Sequence, residues 1–110
     1  MQNRHNALHA AAKAWRRERV AAYKLSKGCA DCGYANDHRA LQLDHLPGTT
    51  KVDDVSSLVS ARALWHRIQA EMEKCEVVCA NCHAIRTDER RKDMLREAEK
   101  QIDLTAPRLW

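Results

Sequence analysis

The chain has 110 residues, of which 31% are charged and 5% aromatic, with no Phe. That is room for one small domain with a modest core, a size at which folds are often stapled by a metal or by disulfides. No apolar run approaches the ~20 residues that span a bilayer, and the first fifteen residues lack the apolar stretch of a secretory signal, so the expectation is a cytoplasmic chain with no membrane contact. Disulfides are rare in that reducing compartment, so the five cysteines need another explanation.

Residues 1–28 hold seven Lys or Arg against the single acid Glu18, a net of +6; the remainder holds 12 basic and 14 acidic residues, a net of −2. A basic arm on a near-neutral body points to a polyanion, with nucleic acid first. Residues 6–26 contain no Gly or Pro and are rich in Ala, Arg and Lys, which predicts a first helix closed by Gly28. On it, Lys13, Arg16, Arg17, Lys24 and Lys27 are the candidate phosphate contacts; the plain alternative is a solvated helix face.

Cys29 and Cys32 then form a tight turn, and residues 40–44 alternate apolar and polar as a strand does. Residues 46–57, with Pro47 and Gly48, are expected as a loop. Ser60 is expected to cap a second helix whose apolar face carries Ala61, Leu64, Trp65, Ile68 and Met72. Trp15 and Trp65 are expected in the core. A short strand at 76–78 leads to a second turn, Cys79 to Cys82, and a third helix from about His83 to Lys100 with a charge-laced outer face. The last ten residues, with Pro107, are expected as a loose tail. The domain reading is therefore a basic helix over 1–28, a metal-stapled domain over 29–100 and a tail over 101–110.

Cys29-x-x-Cys32 and Cys79-x-x-Cys82 are two knuckles separated by 46 residues. Each presents two thiolates from one short turn, and four soft thiolates favour a structural Zn²⁺ in a closed tetrahedral site. Such an ion contributes folding free energy to a small domain. Cys75 is left over and is expected as a small buried apolar residue.

Asp44-His45 ends the strand after the first knuckle, and His83 directly follows Cys82. If both knuckles share one ion, these segments lie side by side. Asp44 then offers oxygen and His83 nitrogen to a hard divalent ion such as Mg²⁺, Mn²⁺, Ni²⁺ or a second Zn²⁺. His45 is left free as a general base for a water attacking phosphorus.

The order C-x-x-C, L-Q-L-D-H-x-x-G, V-V-C-x-x-C-H-x-x-R resembles the zinc-containing HNH endonucleases, and among them the small HNH proteins of bacteriophages. The resemblance covers residues 29 to about 87. It implies an α+β fold, a ββα-metal core with flanking helices, and an enzyme that nicks or cuts DNA with a divalent ion and leaves a 5′-phosphate. By position it makes Asp44 and His83 the ligands of the catalytic ion and His45 the base. It also implies a host-cell cytoplasm and an association with phage genome packaging, with a packaging protein as a partner. The family's middle Asn, which braces the loop bearing the base, would fall five residues before Cys79, where this chain has Lys74. Arg86, one helical turn past His83, is a candidate to neutralise the scissile phosphate, and Lys51 a candidate to reach a phosphate from the loop after His45. Low sequence specificity is expected, since no recognition helix is legible. The alternative reading is a non-catalytic, zinc-stabilised nucleic-acid-binding module, but only an enzyme accounts for Asp44, His45 and His83 together.

Overall fold

The computed structural model describes residues 2–102. The chain is mixed α and β: α1 (Gln2–Lys27), a 3₁₀ turn (His38–Ala40), β1 (Leu41–His45), α2 (Val55–Ser60), α3 (Trp65–Glu73), β2 (Cys75–Cys79) and α4 (Ala80–Glu99). The expected tail lies almost wholly outside the described residues. Among the described residues no helix is long and apolar enough to cross a membrane.

Gly28 stops α1. Its backbone takes a φ of +67°, a left-handed conformation that side chains with a Cβ disfavour, and its N–H bonds back to the Lys24 carbonyl. β1 and β2 pair antiparallel, with Leu41 opposite Cys79, Asp44 opposite Glu76 and His45 opposite Cys75. The pairing continues one step beyond the strands, where the Leu46 N–H bonds to the Lys74 carbonyl.

Two small cores meet at this hairpin. One gathers Val20, Val55, Val59, Ile68 and Met72 from α1, α2 and α3. The other gathers Cys29, Leu41, Val77, Val78 and Cys79 around the sheet and the cysteine turns. Tyr23 and Leu43 pack against both, so α1 and β1 join the helical layer to the layer of the cysteine turns.

The middle of the chain corrects the sequence reading in one respect. Ser60 does not cap a helix; it ends α2, which already occupies residues 55–60 of the expected loop and N-terminus. Arg62 then turns the chain at φ 59°, and α3 begins only at Trp65. Asp54-Val55-Ser56-Ser57 starts a helix because its two buried valines, Val55 and Val59, lie four apart on one face. Trp15 is also not a core residue: it is 44% exposed, edge-on to Trp65, with Arg19 stacked 4.0 Å from its ring.

Candidate functional site

The four knuckle cysteines converge. Their sulfurs all lie within 4.8 Å of one another, and Cys32 Sγ is 3.7 Å from Cys79 Sγ. Ligands about 2.3 Å from a tetrahedral zinc stand about 3.8 Å apart, so this spacing suits a metal ion such as zinc. Local structure builds each half. In the first knuckle the Gly33 N–H closes the turn on the Cys29 carbonyl, and the Ala30 N–H ties it to Val77 of β2. In the second, Cys79 is the N-cap of α4 and its sulfur accepts from the Cys82 N–H. A helix N-terminus favours thiolate. Burial pushes the Cys29 thiol up, but the backbone amides of Cys79, Cys32 and Asp31, aided by the Cys32 side chain, outweigh it and hold the thiol at about 6. Cys75 stands apart in the hairpin. It is buried outside the four-sulfur cluster, which makes it a packing residue, and burial pushes its thiol up to about 11.

Successive side chains of a strand point to opposite faces, and β1 uses this to divide Asp44 from His45. Asp44 faces α4. Its Oδ1 lies 3.7 Å from His83 Nε2, so the structure brings together the two residues expected to share a divalent ion. It also brings two arginines that the expectation did not place there. Arg90 donates to both carboxylate oxygens at 2.8 Å, and Arg86 Nη1 donates to Oδ2 at 2.9 Å. The hydrogen bonds from Arg90, with those from Arg86, keep the Asp44 carboxyl below the usual carboxylate range despite its burial. Arg90, read from sequence as part of the outer charged face, is therefore an Asp44 partner.

Arg86 does more than face the same side as His83. It also donates to both oxygens of Asp31 at 2.7 Å and to Glu76 at 3.0 Å. One guanidinium thus links the first cysteine turn, the end of β1 and the start of β2. Three carboxylate partners and little exposure make it first an organiser of Asp44.

His45 faces the other way, toward α3 and the loop over 46–54. Its Nε2 lies 2.8 Å from Glu71 Oε2. Glu71 is buried, and the Val52 N–H and Lys74 Nζ also donate to it, at 3.1 and 3.0 Å. Burial raises the Glu71 carboxyl, but Lys74, His45 and the Val52 amide together overcome that and hold it at about 2. Lys74 Nζ donates further to the Thr50 carbonyl at 2.7 Å. Lys74 therefore braces the loop that follows the histidine, with one cation shared between the Thr50 carbonyl and the Glu71 carboxylate.

Glu71 escaped the sequence reading. Its signal was present: it follows Ile68 by three and precedes Cys75 by four, so it sits on the buried side of α3, where a charge is out of place unless partnered.

The candidate DNA contacts fall into two groups. Arg16 donates to the Ala63 and Ala12 carbonyls, and Lys24 to the Leu41 carbonyl, so both dock α1 onto the body. Lys51 pairs with Asp54 at 2.6 Å, and Lys27 lies 5.7 Å from the Tyr23 ring. Arg17 is exposed, and Lys13 is half-buried. Arg17 and Lys24 line a cleft of about 580 Å³ between α1, β1 and α2, together with Arg39, His38, Ser56 and, on its wall, His45. Comparison with protein-family models, with curated proteins and with solved structures finds no match to this chain.

Proposed function

We propose that the chain is a metal-dependent DNA endonuclease of the zinc-containing HNH type, built on a ββα-metal core whose four cysteines hold a structural Zn²⁺. The observation that carries this reading is the pairing of Asp44 with His83 at the junction of hairpin and helix, beside the cysteine cluster and one residue from His45. A zinc module that only binds has no need of an acid and two histidines there.

The donor set suits a divalent ion of the Mg²⁺ or Mn²⁺ class: one carboxylate oxygen and one imidazole nitrogen a short step apart, with Glu76 and Asp31 adding negative charge nearby. Arg90 is the group that must yield, since it holds Asp44 Oδ1, and at 39% side-chain exposure it has room to do so. When bound, such an ion supplies positive charge against the leaving oxygen of a phosphodiester. The chain supplies the rest. His45 removes the proton of the attacking water, Glu71 and Lys74 hold the histidine and its loop in place, and Arg86 keeps Asp44 oriented. The cleft rimmed by Arg17, Lys24 and Arg39 leads a DNA backbone to His45, the last residue of β1, and the scissile phosphate would have to lie across that strand end to reach Asp44 and His83 as well.

The test is conversion of supercoiled plasmid with Mg²⁺, Mn²⁺ or Ni²⁺, comparing wild type with His45→Ala. The expected outcome is metal-dependent nicking that falls about 10²–10⁴-fold in the variant. Cleavage untouched by His45→Ala would remove the proposed base.

One observation favours the second reading, a nucleic-acid-binding zinc module. Both oxygens of Asp44 are already satisfied by arginines, which gives that buried acid a purely structural employment. Plasmid binding without cleavage under any metal would select it.

A further inference from the structure

Apart from His45, both groups hydrogen-bonded to the Glu71 carboxylate are donors. Oε2 accepts from the Val52 backbone N–H, which has no other mode of bonding, and Oε1 accepts from the Lys74 ammonium. An ionised carboxylate only accepts, so the hydrogen between Oε2 and His45 Nε2 belongs to the imidazole. Among the described residues the other ring nitrogen, Nδ1, has no protein hydrogen bond, and the His45 side chain is 16% exposed on the wall of the α1–α2 cleft.

From this geometry we infer that Glu71 is the positioning residue of the site: it locks His45 in the Nε2–H tautomer and leaves Nδ1 as the nitrogen that accepts a proton. The inference deepens the nuclease reading, and its catalytic half rests on it. In neutral histidine the two tautomers are close in energy, so a single buried acceptor at one nitrogen decides between them. Lys74 and the Val52 amide act through Glu71 by fixing where its oxygens point. Lys74 is in turn held by the Thr50 carbonyl, so the loop and the histidine are set by one buried carboxylate. Glu71 does not touch a reacting atom; its effect passes through the imidazole.

The experiment is long-range ¹H–¹⁵N NMR of the full chain, purified with zinc and labelled with ¹⁵N, at a pH where His45 is neutral. The assignment of the His45 nitrogens comes from the His45→Gln spectrum. The expected result in wild type is a protonated, pyrrole-type Nε2 and an unprotonated, pyridine-type Nδ1. In Glu71→Ala, with a cross-peak pattern otherwise like wild type, the two nitrogens move toward the averaged shifts of a tautomer mixture. If Glu71→Ala does not fold, the wild-type spectrum alone decides. An Nδ1–H form, or a mixture, in wild type overturns the inference and leaves the nuclease reading as it was. In plasmid cleavage, Glu71→Ala is expected to lower kcat about 10²-fold with little change in KM for DNA. A folded variant with unchanged kcat also overturns it. A wild type that never cuts DNA sinks the nuclease reading, while the tautomer result is read independently of cleavage.

Discussion

The two faces of strand β1 solve the same problem in opposite ways. On one, Asp44 is a buried acid held by two arginines of α4, the little-exposed Arg86 and Arg90, which reaches in from solvent. On the other, Glu71 is a buried acid held from within, by a backbone amide, by Lys74 at the end of its own helix and by His45. Arg90 can swing away and return; a carboxylate pinned by an amide and a bridged ammonium cannot. Under the proposed function the contrast would separate two tasks, an ion site at Asp44 whose arginine partner can leave and a base at His45 that stays fixed.

The largest effect should come from below both faces. Cys79→Ala removes a candidate ligand from the cluster and the cap of α4 together. Structural zinc in small domains contributes on the order of 10 kcal/mol to folding, so the variant should lose zinc and most of its helical signal, measured by metal content and circular dichroism. Retention of both would show that the cluster does not staple the hairpin.

Next come the two acids, which should differ. Glu71→Ala leaves a half-buried lysine, a half-buried histidine and a backbone amide without their buried acceptor, and should cost about 2–4 kcal/mol in denaturant unfolding. Asp44→Asn should cost less, about 1–2 kcal/mol, because Arg86 keeps Asp31 and Glu76 and Arg90 can turn to water. Equal losses would erase the distinction between the faces. Cleavage should fall in both.

A smaller effect separates them by pH. The Glu71 carboxyl has a folded value of about 2 against an ordinary 4.5. A lowered value means stability that is present above 4.5 and is lost as pH falls toward 2. In that window wild type should lose stability more steeply than Glu71→Gln, read as the denaturation midpoint against pH at fixed zinc. Parallel curves would mean that the carboxylate is not held as described.

The smallest effect belongs to the cleft. Arg17→Ala should leave stability unchanged and weaken plasmid binding slightly, lowering the salt slope of log K by about 1. Arg16→Ala, by contrast, should also destabilise the fold, since its guanidinium anchors α1 to the turn at Ala63.

What could be read from the chain in advance follows the range over which its signals act. The cysteine turns, the Asp44-His45 pair and His83 were legible because each is a short spacing with one chemistry behind it, and the approach of Asp44 to His83 follows once the knuckles meet. The break between α2 and α3 was not, because Ala61 and Leu64 continue a helical stripe across a turn that only the positive φ of Arg62 reveals. The partners of the acids were hidden for another reason. Glu71 lies 26 residues from His45 and Arg90 lies 46 from Asp44, so only the folded hairpin brings them together. The same distance explains how Arg16 and Lys24 of α1 could be read as phosphate contacts while the carbonyls of Ala63 and Leu41 held them, whereas the partner of Lys51, Asp54, stood only three residues away.

If the two faces of β1 serve one reaction, with an exchangeable ion on one and a fixed base on the other, cleavage must depend on His83. The most direct measurement is plasmid nicking by the zinc-loaded chain as Mn²⁺ is raised, in wild type and His83→Ala. Nicking should saturate with Mn²⁺ in wild type, and the variant should keep its zinc but need far more Mn²⁺ or not cut. Nicking by His83→Ala with the same Mn²⁺ dependence as wild type, or plasmid bound and never cut by either protein, would contradict it.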